Sequence, residues 1–128
     1  AELLRRAAVL MGDGLSVVLD ATFLSERLRL QAIEMSQEQG AISLFAWCEC
    51  PREIALERIS RRQQQGTDAS EARPELYDRQ AAEQAPLSDK VPAVRIDTTA
   101  ELPTQLAHVF AQLRRLREDG TGEVISRQ

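Results

Sequence analysis

The chain has 128 residues, of which 43% are hydrophobic and 28% charged, with a net charge of −4. That is the composition of one folded domain and excludes a disordered chain. No apolar run approaches the roughly 20 residues of a membrane-spanning helix, and the acidic balance argues against a nucleic-acid or anionic-lipid surface, which would carry a basic excess.

Residues 2–11 read as a helix, with Leu3, Leu4, Ala7, Ala8 and Met11 at helical spacing and Gly12-Asp13-Gly14 as its stop. Leu15-Ser16-Val17-Val18-Leu19 is a short β-branched run ending in Asp20, and it reads as a buried parallel strand. Ser25 is placed to cap a helix of about 14 residues whose inner face carries Leu28, Ala32 and Met35 and which Gly40 ends. Residues 42–50 form a second apolar strand with both faces largely apolar. Within it Cys48 and Cys50 read as two buried thiols in a reducing cytoplasm, since two thiols and a distant His108 make no metal site and a disulfide between them would be strained.

Pro51 suits the first position of a helix running to about Gln64, with Ile54, Ala55, Leu56 and Ile59 inward and Gly66 after it. Gly66 to Ser70 is a polar turn, and Asp68-Ala-Ser-Glu71 matches a capping box for a helix over 71–85. A loop with Lys90 and Pro92 leads to a strand over 93–97. A last helix of about 18 residues turns Leu102, Leu106, Val109, Phe110, Leu113 and Leu116 inward. Residues 1–119 are expected to form the domain and 120–128 a flexible tail. The alternation of strands and helices argues for an α/β fold with a parallel sheet.

Three features carry candidate chemistry. Asp20 ends a strand where open α/β sheets bind ligands and could hold magnesium, or it merely caps a turn. Arg58 and Arg62 lie four apart on one helix face. They could clamp a polyphosphate, or form a solvated basic face favoured by the helix dipole. Only one of the 16 basic residues, Lys90, is a lysine. Arginine suits bidentate phosphate contacts, although GC-rich coding is the plainer explanation. Asp97-Thr98-Thr99 is a strand end and hydroxyl-rich turn, or simply the cap of the last helix.

Taken in order, Leu19-Asp20-Ala21-Thr22-Phe23, Glu49-Cys50-Pro51, Arg58-x-x-x-Arg62, Asp68-Ala69-Ser70 and Asp97-Thr98-Thr99 resemble the P-loop kinase-like ATPases that group with gluconate kinases, zeta toxins and polynucleotide 5'-kinases. The nearest likeness is the ATP-binding domain often fused behind an aminoglycoside-phosphotransferase-like domain. The likeness covers residues 1 to about 118 and implies a P-loop NTPase-like three-layer sandwich that binds ATP and Mg2+ and acts on a small molecule. It implies that Asp20 is a Walker B aspartate near magnesium and that Arg58 and Arg62 belong to a catalytic lid over ATP. Thr22, Arg27, Asp68 and Ser70 fall on the substrate side, and Thr98 and Thr99 fall near the nucleotide base.

The Walker A pattern G-x-x-x-x-G-K-[ST] does not occur in the chain. The family's second strand is not seen either. The expectation is therefore an incomplete sandwich with three strands visible, as part of a longer cytoplasmic protein and inactive by itself. A fused or associated domain and association of copies through an open sheet edge are expected partners. A binding or regulatory module that keeps the fold without the chemistry is the alternative. In the family's sheet order, 2-3-1-4-5, the phosphate-loop strand separates the 15–19 and 42–50 strands. Those two are therefore not expected to be natural neighbours.

Overall fold

The computed structural model describes residues 2–65 and 74–126, with side chains up to residue 119. Among these residues the order is α1 (Glu2–Gly12), α2 (Glu26–Glu38), β1 (Phe45–Glu49), α3 (Arg52–Gln65), α4 (Pro74–Glu83), β2 (Ala93–Asp97) and α5 (Leu102–Ser126). The fold is mixed α/β, compatible with an incomplete P-loop NTPase-like domain. Its sheet is one parallel pair, β1 beside β2, in the register Phe45↔Ala93 to Glu49↔Asp97.

The helix ends follow from local chemistry. Ser25 caps α2, its Oγ accepting from the Leu28 amide at 3.2 Å. Gly14 and Gly40 adopt φ of 84° and 68°, the left-handed backbone that lets a chain leave a helix without a Cβ clash. After α2, the Ala41 amide reaches back to the Ser36 carbonyl at 2.8 Å and Gly40 to Gln37 at 2.9 Å. Pro51 precedes α3, and its carbonyl accepts from the amides of Ile54 and Ala55.

The segment over 15–19 corrects an expectation. It is not a strand: residues 15–20 have no regular structure, and Val18 is 94% exposed. A β-branched run becomes a strand only when its amides find a ladder. Among the described residues the one ladder joins β1 to β2. The fold class stands, with two strands where three were expected.

Two other burial expectations change. Cys48 is exposed and Cys50 half-buried, both as free thiols, because the Ala46–Cys48 face of β1 is open. On α5, Val109, Leu113 and Leu116 are half-buried, while Leu102, Leu106 and Phe110 stand exposed. The main packing of the helix is on β2, and a stripe covering three positions per two turns is wider than one strand.

The core is thin. Ile96, Val91, Ala55, Ala7, Ala32 and Ile33 are buried, yet the largest fully buried side chain is Arg29. Its Nε donates to the Phe23 carbonyl (2.8 Å), Nη2 to Leu24 (3.2 Å) and Nη1 to Pro86 (3.2 Å). The guanidinium also lies 5.0 Å from the centre of the Trp47 ring. Arg29 thereby joins α2, the loop before it, the segment after α4 and β1. Phe23 supports the same junction, meeting Phe45 edge to face at 5.4 Å with its own φ at 43°. A bulky residue there costs of order 1–3 kcal/mol and needs holding from several sides.

Candidate functional site

The two parallel strands end side by side, and the chain after each end is knitted to the other. The Thr98 amide and its Oγ1 both donate to the Glu49 carbonyl, at 2.9 and 3.1 Å. From α3, Arg58 Nη1 donates to Thr98 Oγ1 (3.0 Å) and Nη2 to the Thr98 carbonyl (2.9 Å). Next along, Asp97 Oδ1 accepts from the Thr99 amide (2.9 Å) and hydroxyl (2.6 Å). The Ala100 amide closes the turn onto the Asp97 carbonyl, and Gln105 Nε2 reaches the Ala100 carbonyl. Upstream in the ladder, Arg95 pairs with Glu49, and its guanidinium lies 6.0 Å from the centre of the Trp47 ring.

Asp97 is held below the usual aspartate range by the Thr99 hydroxyl, then by the Thr99 amide and the nearby Arg58 charge. Asp78 is lowered chiefly by its two-pronged pair with Arg52, which ties α4 to α3. Both carboxylates therefore bind protons more readily in the unfolded chain. Their contribution to stability is complete above the ordinary value of about 3.9 and is lost as pH falls through the lowered folded value. The urea midpoint is expected to fall on acidification below about pH 4. Asp97→Asn and Asp78→Asn should each flatten that fall, and an unchanged slope in both would contradict the pairing.

Of the residues singled out by sequence, the fold brings Arg58 onto Thr98 and sets Thr99 beside Asp97. Arg62, one turn further along α3, is exposed. Asp20, Thr22 and Arg27 are exposed around the loop that enters α2, and no hydrogen bond among the described residues joins them to the Arg58–Thr98 cluster. Asp68 and Ser70, with their capping box, lie outside the described residues. No group of three or more His, Cys, Asp or Glu side chains that could hold a metal is gathered among the described residues. No helix among them is long and apolar enough to cross a membrane.

Sequence reasoning missed Arg29, Trp47 and Phe23. For Arg29 the signal was present: residues 29, 32, 33 and 36 are the buried positions of α2, an i, i+3, i+4, i+7 face. Assigning the inner face to Leu28 by hydrophobicity concealed it.

No curated protein and no solved structure matches the chain. A family model described as an AAA domain matches residues 1–87, more than half of the chain. The matched range holds Asp20, Arg58 and Arg62 and stops before β2 and Thr98. The chain belongs to this AAA family, the P-loop kinase-like, nucleotide-binding group that includes gluconate-kinase-like and zeta-toxin-like proteins.

Proposed function

We propose that these residues form part of a cytoplasmic, ATP-dependent phosphotransferase or ATPase acting on a small-molecule acceptor. The observation that carries the reading is the family match over the stretch holding Asp20, Arg58 and Arg62. The carboxyl ends of the parallel strands, where such sheets take ligands, support it. The free thiols suit a reducing compartment.

In this reading Asp20 holds Mg2+ through water. Its exposed carboxylate at the end of the irregular segment over 15–20 fits an ion that is bound by one or two carboxylates plus phosphates and water. When bound, the ion neutralises charge on the phosphates. Arg62 meets the phosphates, and Arg58 acts from the same helix face. Thr22, Arg27, Asp68 and Ser70 serve the acceptor side. Thr98 and Thr99 line the nucleotide base. The phosphate loop and a strand between residues 15–19 and β1 are supplied by residues beyond these 128.

Calorimetric titration with Mg-ATP tests the reading. The 128 residues alone are expected to bind weakly, with Kd above about 1 mM (roughly 4 kcal/mol of binding), and to turn nothing over. The protein that includes the residues encoded before Ala1 is expected to bind at least 100-fold tighter. In it, Asp20→Asn should lower kcat about 100-fold or more by removing the ion's anchor. Tight Mg-ATP binding by the 128 residues alone would refute the need for a supplied loop. If the longer protein also fails to bind, the second reading, a binding module that keeps the fold, takes its place. The commitment of Arg58 to Thr98 favours that second reading.

A further inference from the structure

Arg58 is the arginine that sequence reasoning aimed at phosphate, yet its guanidinium is forked onto one residue. Nη1 and Nη2 reach the side-chain and main-chain oxygens of Thr98, 40 positions away. The Thr98 hydroxyl has one proton, and its geometry sends that proton to the Glu49 carbonyl. The lone pairs of Oγ1 are then left to accept from Arg58. The bonds run in one direction, from α3 through Thr98 to the end of β1, so each polarises the next. The Thr98 amide closes on the same carbonyl.

We infer that Arg58 is a positioning residue: it fastens the turn over 97–100 to α3 and to the end of β1, and it keeps that post when polyphosphate is present. The inference rests on the reading that the strand ends form the nucleotide site, which it deepens by dividing the two arginines. Arg62 faces phosphate, and Arg58 acts through Thr98 by holding the turn on the base side. The fork explains why the post takes arginine. A lysine ammonium is one point charge and cannot offer two donors in parallel to Oγ1 and O of the same residue. The hydroxyl explains why the turn takes threonine or serine: valine removes the side-chain acceptor for Arg58 and the side-chain donor to Glu49, leaving only the main-chain bonds.

Residue-resolved amide hydrogen exchange on the 128-residue chain tests the inference, because the Thr98 amide donates to the Glu49 carbonyl and those of Thr99 and Ala100 donate to Asp97 within the turn. Arg58→Met and Thr98→Val are each expected to speed exchange at these three amides about tenfold, the effect of losing one net charge-assisted hydrogen bond. Ala32 and Ile33 in α2 should be unchanged. The double variant should exceed neither single variant, and Thr98→Ser should keep wild-type protection. Magnesium tripolyphosphate added to the wild-type longer protein, which is expected to bind the phosphates, should leave the three amides as slow as before. Unchanged exchange in both single variants, or acceleration spread equally to Ala32 and Ile33, would overturn the inference. So would tripolyphosphate driving the wild-type longer protein to the Arg58→Met rate, which would mean that the arginine leaves for phosphate. Should Arg58→Met fail to fold, the Thr98→Val and Thr98→Ser pair decides alone. Failure of Mg-ATP to bind the longer protein refutes the nucleotide reading and leaves the exchange result standing.

Discussion

Arg29→Ala is expected to lower stability by about 3–4 kcal/mol, read from urea unfolding followed by the emission of Trp47. The expectation comes from what the side chain leaves behind. Arg29 is 1% exposed and supplies donors to the carbonyls of Phe23, Leu24 and Pro86. Leu24 keeps a second donor, the Ala85 amide at 2.8 Å. The carbonyls of Phe23 and Pro86 would lose their Arg29 donors, at about 1–3 kcal/mol each where water cannot replace them. The vacated volume adds a cavity cost, and Trp47 loses the nearer of the two cations over its ring. Phe23 would also lose one of the contacts that hold its left-handed backbone. Arg29→Lys is expected to recover only part of the loss, because a single ammonium cannot span three carbonyls in different directions. A loss below about 1 kcal/mol for the alanine variant would show that the junction is held by other contacts.

The second large effect separates a realised strand from an unrealised one. Ile96→Ala should cost about 2–4 kcal/mol, since Ile96 is 3% exposed in β2, the strand on which α5 packs, and its truncation leaves a cavity. Val18→Ala should stay within about 0.5 kcal/mol, because a side chain 94% exposed has no packing to lose. The two residues look alike in the sequence: each is β-branched, in a short apolar run that ends in aspartate. Equal losses at both positions would show that residues 15–19 are packed as a strand in solution.

That likeness explains what could and could not be read in advance. The carboxyl-end cluster was legible because its parts are short and ordered: Asp97-Thr98-Thr99 follows a strand, and Arg58 lies on the helix that follows the other strand. That Arg58 would bond Thr98 was not legible. The contact joins residues 40 apart and depends on how far apart α3 and β2 end, which no local pattern encodes. Arg29 was hidden for a related reason. A hydrophobicity pattern assigns arginine outward, and it is buried here because three carbonyls, one of them 57 positions away, converge on it.

By itself the sequence determined the parts that are decided within a few residues. These are the cap at Ser25, the left-handed exits at Gly14 and Gly40, the start of α3 after Pro51, the two short runs that became β1 and β2, and membership in a nucleotide-binding P-loop kinase-like family. Only the tertiary structure decided that residues 15–19 stay unpaired with Val18 exposed, that Arg29 is the largest fully buried side chain, and that Arg58 is spent on Thr98. Caps and turns close their hydrogen bonds within the local chain. A strand and a buried cation must find their partners elsewhere, so the same residues have different fates depending on what lies beside them.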